Sequence, residues 1–258
     1  MRYKMIISYD GSFFHGFQRQ KGYNSVQETM EKVFSEITKT PIVIKSAGRT
    51  DAGVHAIGQV IHFDSIQEIP PKNFRKIANK KLYPHIYVKD VEVVNETFHS
   101  RVSAIKKEYH YLVDIGEFCP LNANYRHYFH NHIDIDKIKE AMKYIEGTHD
   151  FKSFSKNHII KNTIRTIESF TLDVTDTLLT FKIIGNGFMH NMVRIIIAVM
   201  LKVGEGKFEP TEVINIIDKA NRSAAPYVAP AAGLYLYKVY YLSLIHISEP
   251  TRRRGISY

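Results

Sequence analysis

Cysteine is nearly absent. Cys119 is the single one in 258 residues. One thiol cannot close an intrachain disulfide, and a Cys-rich zinc site is excluded. A reducing compartment suits such a chain. Long apolar runs are missing as well. The longest spans residues 195–201, seven in all, where a membrane helix needs about 20. The first ten residues lack the apolar stretch of a signal peptide. The expectation is a soluble, cytoplasmic protein with no membrane partner.

What is present is ordinary for a folded chain: 44% hydrophobic and 24% charged residues. A chain of this length buries roughly 70–75% of its unfolded surface, enough for one large domain or two small ones. The charge is less ordinary. Lys and Arg number 35 against 26 Asp and Glu, a formal net charge of +9. Residues 1–102 carry 15 basic and 10 acidic side chains, and residues 103–242 carry 17 and 15. Such a balance favours an anionic partner, nucleic acid or an anionic membrane surface.

Patterning gives the elements. Residues 3–9 read as a strand, followed by a loop rich in aromatic and polar residues. Ser25 and Glu28 form a capping box, and Val26, Met30, Val33, Phe34 and Ile37 recur at helical spacing up to Pro41. Strands are expected at 42–46, 57–63 and 86–94, and a helix from Pro71 to Leu82 with Phe74, Ile77 and Ala78 on its apolar face. The second half predicts strands at 104–115, 164–174, 178–184 and 234–242. Helices fall at 134–146, with Ile138, Met142 and Ile145 inward, at 188–203 and at 210–220. Locally pairing strands interrupted by pairs of helices indicate an α+β fold with mostly antiparallel sheets. The two halves share an element order, so a pseudo-duplicated pair of α/β domains is expected, 1–102 and 103–242.

Three segments stand out. In Gly48-Arg49-Thr50-Asp51-Ala52-Gly53-Val54-His55-Ala56, glycines frame an Arg and an Asp between strands. Small residues there let a ligand approach the backbone; the alternative is a structural turn with Asp51 bonding local amides. Gly185-Asn186-Gly187-Phe188-Met189-His190-Asn191-Met192-Val193-Arg194 opens with two glycines before a helix. His190 stands where a dinucleotide fingerprint has its third glycine, so a Rossmann site is rejected. Arg194 lies in an apolar helix and calls for an anionic partner, since an unpaired buried charge is costly; otherwise its stem packs and its head reaches water. In Lys106-Lys107-Glu108-Tyr109-His110-Tyr111, alternation puts Lys107, Tyr109 and Tyr111 on one face. Cations interleaved with rings suit a nucleic-acid surface, although core tyrosines fit the pattern equally, Tyr111 above all. Phe13, Phe14 and Phe17, with His15, Gln18, Arg19 and Gln20, read as an RNA-reading loop or as a packed one. His127, His130 and His132 raise a metal-dependent hydrolase as a rival, without the H-E-x-x-H spacing that would support it.

Residues 243–258 do not continue the pattern. The string SLIHISEPTR resembles translated sequencing-adapter DNA, and the segment is read as a non-native or disordered tail. The alternative is a basic arm, through Arg252, Arg253 and Arg254, that touches RNA.

Taken in order, the motifs resemble the TruA family of tRNA pseudouridine synthases. The resemblance runs through Tyr9-Asp10-Gly11, Phe14-His15-Gly16-Phe17-Gln18-Arg19-Gln20, the loop 48–56, Phe98-His99-Ser100-Arg101 and Glu108-Tyr109-His110-Tyr111. It continues through Gly147-Thr148-His149-Asp150-Phe151, residues 185–194 and Ala232-Gly233-Leu234-Tyr235-Leu236. Lys106-Lys107-Glu108 departs from the more Arg-rich run usual there. The resemblance implies isomerisation of uridine to pseudouridine at positions 38, 39 and 40 of the tRNA anticodon arm. It also implies two α/β domains around a basic cleft, a homodimer holding tRNA, and no cofactor or metal. It makes Asp51 the catalytic carboxylate and Arg194 the cation that keeps it ionised. Tyr109 becomes the active-site tyrosine that packs against the base and a candidate for assisting proton removal from C5. Arg49 becomes the residue that holds the flipped nucleotide, and Leu234 a lining residue. A carboxylate can attack the sugar C1′, attack the ring, or stabilise a cationic sugar, and the sequence does not choose among these. A tRNA-binding module without chemistry uses the same basic face.

Overall fold

A computed structural model describes residues 1–156 and 162–242. The tail assigned above to residues 243–258 lies outside the described residues. In the first half, the strands are β1 (Arg2–Tyr9), β2 (Lys45–Ser46), β3 (His55–Asp64) and β4 (Ile86–Val94), and the helices are α1 (Val26–Thr38) and α2 (Pro71–Leu82). In the second half, the strands are β5 (Ala104–Asp114), β6 (His127–Tyr128), β7 (Gly147–Asp150), β8 (Ile164–Val174), β9 (Leu178–Gly185) and β10 (Leu234–Tyr241), and the helices are α3 (Ile135–Lys143), α4 (Met192–Gly204) and α5 (Glu212–Asp218).

One sheet runs through both halves in the order β4-β1-β3-β10-β5-β9-β8-β7, with β2 on β3 and β6 on β5. The duplication expected from element order is visible in this list. The first half runs β4-β1-β3-β2 and the second β10-β5-β9-β8, each a split βαβ arrangement with its fourth strand beside its first. Pairing is antiparallel apart from two short parallel contacts, β6 on β5 and β10 on β3. The second of these is the seam between the halves, with Tyr235 beside His55 and Leu236 beside Ala56.

Local sequence explains much of this. The Ser25 side chain accepts from the Glu28 amide at 3.3 Å, satisfying a donor that the helix itself leaves unpaired. Ser25→Ala should therefore cost about 1 kcal/mol of stability and leave the cleft untouched. Urea unfolding checks this. Val26, Met30 and Phe34 turn inward, and the Phe34 ring meets Phe63 and Phe74, each at 5.1 Å between centroids. Ile77 is 43% exposed while Phe74 and Ala78 are buried, so α2 rests on the sheet by a narrower stripe than the sequence predicts. In the second half, residues 195–201 are all buried. The apolar run is a helix covered on every side.

Boundaries differ where tertiary pairing decides. The strand expected at 57–63 starts at His55 because β10 supplies a partner there. The helix expected from 188 starts at Met192, since Asn191 adopts a left-handed φ of 60°.

Candidate active site

The loop 48–54 leads into β3 at the seam and packs on the loop that follows β1. Phe17 N–H donates to the Thr50 carbonyl at 3.1 Å, Gly53 N–H to the Phe14 carbonyl at 3.3 Å, and Val54 N–H to the Asp51 carbonyl at 3.1 Å. Gly16 and Gly53 take φ of +90° and +77°, and a Cβ at Gly16 would come 2.8 Å from the Thr50 oxygen. Only glycine allows that approach without strain. The Tyr9 hydroxyl meets the Thr50 hydroxyl at 2.8 Å; burial raises the Tyr9 pKa to about 12, so it stays a phenol. The two loops thus hold Asp51 between anchored neighbours. Phe14 and Phe17 are buried while His15, Gln18 and Gln20 face the cleft, so the aromatic loop is packed on one side and open on the other.

From the second half, α4 presents Arg194. Its Nη1 lies 3.5 Å from Asp51 Oδ2, long for a hydrogen bond and close for an ion pair. The guanidinium is steered by other bonds: Nε donates to the Ala229 carbonyl at 2.7 Å, and Nη1 to Asn191 Oδ1 at 2.8 Å. Asn tolerates the left-handed turn better than most residues, and here its side chain orients the arginine. His190 Nε2 stands 3.4 Å from the other carboxylate oxygen, Oδ1. Asp51 therefore faces cationic or cationisable groups on both oxygens.

Above this pair opens a cleft of about 1120 Å³. Asp51 is the one carboxylate among its described lining residues, against Lys45, Arg49, Arg101, Lys107 and Arg165. Tyr109 on β5 and Leu234 at the start of β10 form part of the wall. Tyr109 is 7% exposed and its ring meets Phe188 edge-on at 5.0 Å. Burial, with Tyr9 and Asp51 adding to it, pushes its phenol well above the usual tyrosine value. Tyr111 is fully buried and donates to the Pro230 carbonyl at 2.8 Å, which makes it a core residue.

Of the residues singled out in the sequence, Asp51, Arg49, Tyr109 and Leu234 line the cleft, and Arg194 sits behind Asp51. Arg49 is exposed. Sequence reasoning missed His190 and Asn191 as site residues. The hint was their place beside Arg194 in a segment already flagged; helical spacing gives none, because α4 starts only at Met192. The histidine cluster does not converge. Among the described residues no three His, Cys, Asp or Glu side chains gather as a metal group, and burial lowers the His127 pKa to about 4.

Fold and site place the chain among mixed α/β proteins that hold one acidic side chain at the floor of a cation-lined cleft. A family model described as tRNA pseudouridine synthase matches residues 5–101 and 141–242. A tRNA pseudouridine synthase A of Bacillus licheniformis is 42% identical over 248 residues, 93% of this chain and 99% of that one. Its Bacillus subtilis counterpart is 42% identical over 247 residues, with the same coverage. The chain belongs to the tRNA pseudouridine synthase family. Among solved structures, one of a Cbf5-Nop10-Gar1 complex aligns with 78% of this chain and 54% of its own at 11% identity and a TM-score of 0.35.

Proposed function

We propose that the protein isomerises uridine to pseudouridine at positions 38, 39 and 40 of the tRNA anticodon arm, with Asp51 as the catalytic carboxylate. The reaction breaks the bond from N1 to C1′, turns the ring, joins C5 to C1′, and moves a proton from C5 to N1. The observation that carries the reading is one carboxylate, ion-paired to Arg194, in a cleft whose other fully charged lining residues, among those described, are all cations. Arg194, 3.5 Å from Asp51, sets a positive charge beside the carboxylate. A stem base reaches Asp51 only when flipped out, and the exposed Arg49 at the cleft wall is placed to hold the nucleotide there. Tyr109, kept neutral by burial, packs its ring against the base, and Leu234 closes the apolar side.

The family resemblance supports two domains, 1–102 and 103–242, and a homodimer that holds tRNA across both subunits, with no cofactor or metal. The unpaired Cys119 fits a cytoplasmic setting. Among the described residues no helix is long and apolar enough to cross a membrane. Incubation with an unmodified tRNA transcript, followed by mapping of pseudouridine, tests the reading. Product at 38–40 supports it. Tight binding without product favours the binding module.

Salt gives a second check. Five cations line the cleft, and each phosphate neutralised releases counterions. The affinity for tRNA should fall about 100- to 500-fold between 50 and 200 mM salt. A flat titration would remove the electrostatic cleft.

A further inference from the structure

Lys107 is a cation without an anion. It stands on β5 two residues before Tyr109, so both side chains leave the strand on the cleft side. Its sheet neighbours are Gly185 on β9 and Val239 on β10, neither of them acidic. Across the cleft its ammonium rests against Gly48, where a Cβ would lie only 3.0 Å from Nζ. The φ of Gly48 is unexceptional, so the missing side chain there serves space: it lets the ammonium reach the root of the Asp51 loop. The adjacent Lys106, on the opposite face, is neutralised by Glu168 at 2.8 and 3.0 Å. Among the described residues no carboxylate pairs with Lys107 and no acceptor bonds it; its charged neighbour is Arg101, of the same sign.

Holding a desolvated cation beside another cation costs the free protein stability. An arriving anion would offset that cost. The titratable groups around the cleft are His15 and Tyr23 on the loop after β1, Lys45 on β2, Arg49 and Asp51 on the loop before β3, His99 and Arg101 before β5, Tyr109 on β5, Arg165 on β8 and His190 before α4. The sole acidic one, Asp51, is already engaged by Arg194 and His190.

We propose that Lys107 anchors a backbone phosphodiester of the RNA beside the flipped nucleotide. This rests on the reading of the cleft as an RNA site. It assigns Lys107 to substrate positioning and leaves the chemistry to Asp51. Burial, with Arg101 adding to it, lowers the Lys107 pKa to about 8, so the anchor carries a signature in pH. Free protein loses the proton as pH rises through about 8, and a neutral amine does not hold a phosphate. Affinity should therefore fall between pH 8 and 9, by up to about tenfold for one required proton. An arginine, charged throughout, should abolish that fall.

The test compares wild type, Lys107→Arg and Lys107→Met for binding of an unmodified tRNA transcript from pH 7 to 9. Salt slopes are taken at pH 7, with single-turnover rates at saturating RNA. The Met variant should bind about tenfold more weakly, with a salt slope smaller by about one. Its saturated rate should stay within a few-fold of wild type, and it should melt no lower. The Arg variant should bind like wild type at pH 7 and hold that affinity at pH 9. A Met variant with unchanged affinity and salt slope would overturn the anchor, whether its rate or its melting temperature falls. So would an Arg variant that loses affinity at high pH as wild type does, a comparison that stands even if the Met variant fails to fold. Wild type that shows the salt and pH signatures but forms no pseudouridine would sink the proposed activity and leave the anchor standing.

Discussion

Asp51→Asn should split binding from chemistry. Asparagine has nearly the same shape, so the bonds that hold the loop, through Phe17, Gly53 and Val54 amides, persist. Arg194 retains the Ala229 carbonyl and Asn191 Oδ1 as acceptors, so the variant leaves no stranded guanidinium. The cleft's five cations are unchanged, and tRNA affinity should remain within about threefold of wild type. The anionic oxygen is gone, and the single-turnover rate should drop by more than about a thousandfold. Single turnover is the right measurement because slow product release could mask a chemical defect. Comparable pseudouridine formation by the Asn variant would mean that Asp51 is not the catalytic carboxylate.

Arg194→Met should be nearly as damaging to turnover, and it should also cost stability. The guanidinium bonds the carbonyl of Ala229 and the side chain of Asn191 as well as facing Asp51. Methionine fills the stem's volume but strands both acceptors, a loss of about 1–3 kcal/mol. Turnover should fall about 100-fold or more as Asp51 loses its partner and the turn at Asn191 loosens. The decisive comparison is the double mutant with Asp51→Asn. If the two groups act as a pair, the combined loss of rate falls well short of the product of the single losses, a coupling of about 0.5–3 kcal/mol. Full multiplicativity would dissolve the pair. At 3.5 Å the contact adds little to folding, so the coupling should appear in turnover more than in unfolding.

These expectations indicate what a linear sequence can convey. The N-cap at Ser25, the stripes of α1 and α3 and the alternation of β5 are local, and each appears where its pattern placed it. Arg194 was legible for a different reason. A charge among Met, Val and Ile demands an anion, and the structure supplies one 143 residues away. What stayed hidden depends on partners distant in sequence. β7 is four polar or small residues, Gly-Thr-His-Asp, with no alternation to betray it; it is a strand because β8 lies beside it. The α4 start was misplaced because Asn191 turns left-handed to present its side chain to Arg194, a conformation that no periodicity records. His190 gained its place at Asp51 from that same turn.

The seam also constrains the order of events during synthesis. β3 and β5 are separated in the sheet by β10, the last in chain order among the described strands. Until β10 is made, each half can pair its own strands, but no strand joins the two in one sheet, and Leu234 is not yet in the wall. The Asp51 loop and the Tyr109 strand are thus translated long before they can face each other. The cleft is completed late in the life of the nascent chain, because the strand that carries Leu234 comes last among the described elements. Until then β3 and β5 each keep an open edge, a template for pairing with the wrong strand.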